Sequence, residues 1–180
     1  MEALVREGRV SDAAGVARVE VEAWRDTYPT LLPEDYLIRR LDVGRGAAIW
    51  RRRLKGRSRN ILVAAPPDTA DQIAGYATWG RCRLGLSSAG GELYELYLMP
   101  GHQERGVGRR LCATVAERLL ESGLSSMSVE VLEGNPARFF YEALGARLAA
   151  RTRPRFAGED LPALVYMWDD LPWLAGQDAG

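Results

Sequence analysis

The stretch from Glu92 to Ser122 constrains the fold of this chain more than any other. Glu92-Leu93-Tyr94-Glu95-Leu96-Tyr97-Leu98-Met99 reads as a strand closed by Pro100-Gly101, and Val107, Leu111, Val115 and Leu119 then recur at helical spacing. That recurrence predicts a helix over Val107 to Ser122 with one buried stripe. Between strand and helix lies Gln103-Glu104-Arg105-Gly106-Val107-Gly108. The first N–H groups of a helix have no intrahelical partner, and the helix dipole puts partial positive charge beside them. Glycine lets an anion approach that bare backbone. The segment therefore predicts a phosphate-binding turn.

Three kinds of glycine turn compete. A Walker A loop has the spacing of Gly101 to Gly106, but Val107 and Gly108 stand where its lysine and hydroxyl must be, so nothing grips a terminal phosphate or Mg²⁺. A dinucleotide turn needs a third glycine, which Gly106-Val107-Gly108-Arg109-Arg110-Leu111 lacks. The third pattern, Gln/Arg-x-x-Gly-x-Gly/Ala between a strand and a long helix, is satisfied at Gln103 to Gly108.

Around this segment the pattern predicts an α+β layout. Leu4 to Glu7 is a short first strand. Ser11-Asp12 offers an N-cap for a helix carrying Ala14, Ala17, Val21 and Trp24, which Tyr28-Pro29 ends. Pro33-Glu34-Asp35 starts a second helix, and Ala47 to Leu54 is a third. Ile61 to Ala65 and Ile73 to Arg81 form a hairpin around the Pro66 to Asp71 turn. Beyond the long helix come a strand at Met127 to Leu132 and a short helix after Pro136 that stops at Gly145. Last come strands at Ala146 to Arg153 and Leu164 to Trp168, with a turn at Gly158 to Asp160.

The chain has 180 residues, enough for one domain over residues 1–175, with 176–180 as a flexible tail. Lys+Arg and Asp+Glu are both 24, which argues against a general nucleic-acid binder. The basic run Arg51 to Arg59 is read first as a solvated helix end, and second as a contact for an anionic partner. One histidine, His102, excludes a metal centre built on several histidines, and Cys82 and Cys112 lack metal-ligand spacing. No metal is expected. Neither a signal peptide nor an apolar run of about 18 residues is present, so the expectation is a cytoplasmic protein that does not enter the membrane.

The Gln103 to Gly108 turn resembles that of the GNAT superfamily of N-acetyltransferases. Further segments match in the right order: the strand Glu92 to Pro100; Asn135-Pro136-Ala137-Arg138-Phe139-Phe140-Tyr141-Glu142-Ala143-Leu144-Gly145-Ala146; and Ala23-Trp24-Arg25-Asp26-Thr27-Tyr28 with Leu32 to Leu37. Ala146 departs from the pattern, since an aromatic usually follows that glycine. The resemblance implies a mixed, mostly antiparallel central sheet of about seven strands, splayed between strands 4 and 5 and flanked by helices. It also implies acetyl-CoA as cosubstrate. By that resemblance the backbone of Leu96, Tyr97, Leu98 and Met99 pairs with the pantetheine arm. The amides of Gln103, Glu104, Arg105, Gly106, Val107 and Gly108 take the diphosphate, helped by Arg105, Arg109 and Arg110.

A primary amine arrives mostly as ammonium at neutral pH and attacks only after losing a proton. Glu92 and Glu95 are the candidate bases. Three positions apart, they face opposite sides of a regular strand, and Glu92 ranks first because several superfamily members carry their base there. Neither serving as the base is the third alternative. Tyr141 is the candidate acid by resemblance, or else a core aromatic. Asn135 is a pantetheine contact, an N-cap before Pro136, or both. Trp24 and Tyr28, with Tyr36, Arg153 and Arg155, are candidate acceptor contacts. Direct transfer from acetyl-CoA to a primary amine of a small molecule or protein is the leading reading. A non-catalytic acyl-CoA sensor is the alternative, and O-acyl or longer-acyl transfer a third. Trp173 and Leu174 are candidates for a homodimer contact or for packing on their own chain.

Overall fold

The computed structural model describes residues 3–56, 60–66, 72–85, 89–156 and 158–178. Most of the expected Pro66 to Asp71 turn, the residues 86–88 and Arg57 to Arg59 of the basic run lie outside those residues. The elements run β1 (Leu4–Glu7), α1 (Ala13–Thr27), α2 (Glu34–Arg40), α3 (Val43–Lys55), β2 (Ile61–Ala65), β3 (Gly75–Arg81), β4 (Gly91–Leu98), α4 (Val107–Glu121) and β5 (Met127–Leu132). They continue α5 (Ala137–Ala143), β6 (Arg147–Thr152), β7 (Arg155–Phe156), β8 (Glu159–Asp160), β9 (Ala163–Trp168) and α6 (Leu171–Ala175). Seven strands form a mixed sheet in the order β1-β2-β3-β4-β5-β9-β6. β4 runs parallel to β5, while β1–β2, β2–β3, β5–β9 and β6–β9 are antiparallel. The registered β4–β5 pairs are Gly91–Met127, Glu92–Ser128 and Leu93–Val129, although β4 continues to Leu98. Among the described residues, no helix is long and apolar enough to cross a membrane.

The chain divides into two compact units. The first comprises Met1–Thr78 and Glu95–Leu111. Its core joins Val16, Ala17 and Val19 of α1 to Trp50 and Leu54 of α3 and to Val63 and Tyr76 of the sheet. Small residues set the spacing: a Cβ on Gly46 of α3 would sit 3.2 Å from the Ala17 Cβ of α1. α3 begins earlier than the expected Ala47, because the Asp42 side chain caps it by accepting from the Arg45 N–H at 2.9 Å. Gly44 and Gly46 hide that first turn from periodicity, since glycine carries no apolar signal.

α1 starts after a 3-10 turn at Val10–Asp12. Asp12 points backwards rather than into α1: its carboxylate accepts from the Arg9 N–H at 2.7 Å and from both Arg6 nitrogens at 2.7 and 2.9 Å. Burial pushes this carboxyl up, but the Arg6 and Arg9 bonds and charges outweigh it and hold it below its ordinary value. Its stabilisation is therefore complete above the unfolded carboxylate value of 3.8 and is lost as pH falls through the lowered folded value. We expect Asp12→Asn to cost about 2–3 kcal/mol by leaving Arg6 half-answered. Urea unfolding at pH 7 measures it, and the loss should shrink towards pH 3.

The second unit comprises Trp79–Tyr94 and Cys112–Gly180. β9 is buried along its whole length between β5 and β6. Gly145, at φ +75°, ends α5, and the Trp168 indole donates to the Leu144 carbonyl at 2.7 Å. The expected turn is present at Gly158, at φ +89°, while Glu159 and Asp160 belong to a two-residue ladder, β7 with β8. α6 has no periodicity long enough to announce it; the Asp170 side chain caps it at the Trp173 N–H, 3.0 Å. Leu174 is fully buried, whereas Trp173 is exposed.

Candidate active site

β4 delivers the chain into the glycine turn within the first unit. The Met99 N–H donates to the Ala74 carbonyl at 2.8 Å, so Met99 turns its backbone groups towards β3. Backbone groups alternate along a strand, and Leu96 and Leu98 therefore turn theirs away from β3. Beyond Met99 the turn adopts left-handed backbone three times, at Gly101 (φ +84°), Glu104 (φ +59°) and Gly106 (φ +77°). Glu104 is the unusual member, because a residue with a Cβ pays for that conformation. The Gly106 carbonyl accepts the Arg110 N–H at 3.0 Å, which starts α4. A Cβ built on Gly106 meets nothing within 4 Å, so the space beside this residue, just before α4, is unfilled. Arg105 and Arg109 are exposed on the turn and on the first helical turn, while Arg110 donates to the Ala3 carbonyl at 2.8 Å. The space beside Gly106, its left-handed backbone and the two exposed guanidinium groups fit a diphosphate.

The two candidate bases have different surroundings. Glu92 is buried in the second unit. Its carboxylate accepts the Arg83 N–H at 2.6 Å and the Arg83 guanidinium at 2.7 Å. Arg83 in turn lies over the Tyr94 ring at 3.6 Å. Glu95 is half-buried in the first unit, where it accepts from Thr78 Oγ1 at 2.8 Å and pairs with Arg53 at 3.0 Å.

The strand places Tyr97 on the same face as Glu95. Around them the first unit gathers a set of aromatic side chains. The Tyr97 and Tyr28 hydroxyls are 3.1 Å apart, and Trp24 packs on Tyr28 and Tyr97 with ring centres 4.7 and 6.5 Å away. Tyr76 packs on Tyr97 and on Trp50, at 5.7 and 4.9 Å. Trp24 and Tyr28, singled out from the sequence, are thus joined to the Glu95 strand. Tyr36 also lies against Trp24, at 6.4 Å.

Three members of this cluster escaped sequence reasoning: Glu20, Trp50 and Tyr76. The Trp50 indole donates to Glu20 at 2.7 Å. Burial raises the Glu20 carboxyl most; the Trp50 bond lowers it, Glu95 raises it, Arg40 and Arg53 lower it, and the net result lies above the ordinary value. Tyr76 is fully buried, and its hydroxyl has no hydrogen-bond partner among the described residues. Burial, then the Glu95 and Glu20 charges, push its ionisation well above the ordinary tyrosine value. A signal for Glu20 did exist: it interrupts the Val16–Trp24 stripe of α1 with a charge at helical spacing.

The second unit holds the other predicted residues. Tyr141 is buried on α5 against Phe140 and Trp168, ring centres 5.4 and 5.9 Å away. Asn135 is buried, and its side-chain oxygen accepts the Ala137 N–H at 2.9 Å, the N-cap geometry. The Arg153 guanidinium donates to the Asp160 carbonyl at 3.1 Å, and Arg155 is exposed. Cys112 is buried and free, with burial pushing its thiol up to about 12, so it is not a nucleophile at neutral pH. Among the described residues, no group of three His, Cys, Asp or Glu is placed to hold a metal ion.

Comparison with known proteins places these features in a family. The model of the acetyltransferase (GNAT) family matches residues 18–146. The chain is 37% identical over 171 residues to the uncharacterized N-acetyltransferase YuaI of Bacillus subtilis, covering 94% of this chain and 95% of that protein. In fold it resembles a GNAT-family chain of Desulfovibrio desulfuricans, with TM-score 0.68, 22% identity and coverage of 94% of this chain and 99% of that one. It also resembles yncA of Salmonella typhimurium, solved with its cofactor acetyl-CoA, with TM-score 0.64, 20% identity and 95% coverage of each chain. Sequence match and architecture agree: this chain belongs to the GNAT family and is an acyltransferase.

Proposed function

We propose that the protein transfers an acetyl group from acetyl-CoA directly to a primary amine, with residues 1–175 working as one acetyltransferase domain in the cytoplasm. The observation that carries the cosubstrate is Gly106, left-handed and facing unfilled space at the start of α4. In this reading the backbone N–H groups of Gln103 to Gly108 hold the diphosphate and Arg105 and Arg109 add charge. Leu96 and Leu98, whose amides turn away from β3, pair with the pantetheine arm. When bound, acetyl-CoA supplies an activated thioester carbonyl.

Glu95 is the proton acceptor in this proposal. Both carboxylates are ion-paired, Glu95 with Arg53 and Glu92 with Arg83, but that of Glu95 is half-buried and shares a strand face with Tyr97, whereas Glu92 is buried. The greater exposure of Glu95 supports this reading, which prefers it to Glu92. Tyr141 is the proton donor to the departing sulfur. Trp24 and Tyr28 line the acceptor side. The inert Cys112 thiol favours direct transfer over an acyl-enzyme.

Two measurements test this function. Calorimetry should show CoA binding with one site per chain. Release of free CoA thiol from acetyl-CoA across a panel of primary amines should exceed the amine-free rate. Tight binding with no amine-dependent release would favour a non-catalytic sensor, and absence of binding would overturn both readings.

A further inference from the structure

Glu20 has no place in the family motifs that the sequence displays, yet its surroundings are unusual for a structural carboxylate. It lies half-buried on α1, and among the described residues it makes no ion pair. The other charged groups of the cluster are committed. Arg53 pairs with Glu95 and covers the Trp50 ring at 4.0 Å, and Arg40 covers Trp24 at 5.0 Å. Arg40 and Arg53 act on Glu20 through charge alone, without a direct pair, and partly desolvated carboxylates of this kind gather where ligands bind. A second, independent feature points to the same place. The Tyr76 ring packs on Trp50 and Tyr97, and its hydroxyl, which the Glu95 and Glu20 charges influence, is fully buried and without a hydrogen-bond partner among the described residues. Two carboxylates, one ion-paired and one held only by an indole, thus share a neighbourhood with an unsatisfied hydroxyl and aromatic walls.

We propose that Glu20, with Glu95 and the Tyr76 hydroxyl, seats the ammonium group of the acceptor, and that Glu20 sets a preference for cationic acceptors over neutral ones. This rests on the transferase reading and names the acceptor chemistry. Glu95 supplies the second carboxylate oxygen, Tyr76 supplies a hydroxyl oxygen, and the rings of Tyr97 and Trp50 complete a cation-compatible wall. The groups facing Glu20 are Glu95 from β4, Arg40 from α2, Arg53 from α3 and Trp50; a bound ammonium adds a direct ion pair to the favourable charge that the two arginines already bring to it.

The test uses n-butylammonium chloride, with sodium chloride at matched ionic strength as control, on the CoA-loaded protein. Wild type should bind n-butylammonium, and Glu20→Gln should bind it about tenfold or more weakly with CoA affinity unchanged. Glutamine keeps an acceptor for the Trp50 indole, so a purely structural Glu20 predicts no such loss. The Trp50 indole N–H resonance gives a second readout. It should titrate with Glu20, and saturating n-butylammonium should move that midpoint to lower pH, because a nearby cation favours the charged carboxylate. Glu20→Asp should retain the shift and Glu20→Gln should lack it. Absence of n-butylammonium binding, equal binding by Glu20→Gln, or an unmoved midpoint overturns the proposal. CoA titration of the same samples is read separately: retained CoA binding with any of those outcomes sinks the ammonium seat alone, and lost CoA binding in wild type sinks the transferase reading.

Discussion

Gly106→Ala should lower CoA affinity by about 100-fold, while Gly123→Ala should leave it unchanged. The two glycines make a matched pair. Both have φ +77°, and a Cβ on either meets no protein atom within 4 Å. Each substitution therefore carries the same left-handed backbone strain, about 1–2 kcal/mol, and neither introduces an internal clash. They differ in position: Gly106 begins α4 and Gly123 follows its end. If the α4 N-terminus takes a diphosphate on its amides, the new methyl group at 106 stands where the phosphate oxygens must come. Loss of even two charge-assisted bonds of about 1.5 kcal/mol each gives the stated factor. Calorimetry with CoA, alongside thermal melts showing equal destabilisation, separates site from strain. Equal CoA affinity in the two variants would remove the turn from cofactor binding.

The sequence announced this turn because its determinants are local. A strand, a glycine at a left-handed position and a helix start all leave marks within a few residues. The same holds for β2, β5 and α4, whose boundaries follow from apolar runs and stripes. α3 and α6 were harder for a physical reason. Gly44 and Gly46 erase the first turn of α3 from any periodicity, and α6 is too short for a stripe to accumulate. The β7–β8 ladder, with two residues per strand, looked like a turn for the same reason. The proposed acceptor side was half legible. Trp24 and Tyr28 stood out as aromatics in a motif-bearing segment. Tyr76 and Trp50 read as ordinary core residues, because only the tertiary fold shows an orphaned hydroxyl or an indole aimed at Glu20. The proposed preference for Glu95 over Glu92 needed the structure too. Strand alternation separates their faces, but it does not reveal that Glu92 is buried while Glu95 is partly exposed.

That choice yields the second large effect. Glu95→Gln should reduce kcat by about 10²-fold or more, in the range expected for loss of a positioned base, and should leave CoA affinity and stability nearly unchanged. Glutamine still accepts from Thr78. The forfeited ion pair with Arg53 joins side chains that are 39% and 27% exposed, a setting in which such pairs contribute about 1 kcal/mol or less. Glu92→Gln should behave in the opposite way. Its side chain is 4% exposed and answers both the backbone and the guanidinium of Arg83. Neutralising it should cost about 1–3 kcal/mol of stability while kcat per folded molecule holds. Tyr141→Phe provides an internal standard: it keeps the ring packed against Trp168 and removes the hydroxyl alone, so turnover should fall while CoA binding stays. Urea unfolding and initial rates on the three variants decide among them. A stable Glu95→Gln enzyme with wild-type kcat would return the proton-accepting role to another group. A Glu92→Gln enzyme that melts normally but fails to turn over would make the buried carboxylate that group, and Arg83 would then have to release it during each catalytic cycle.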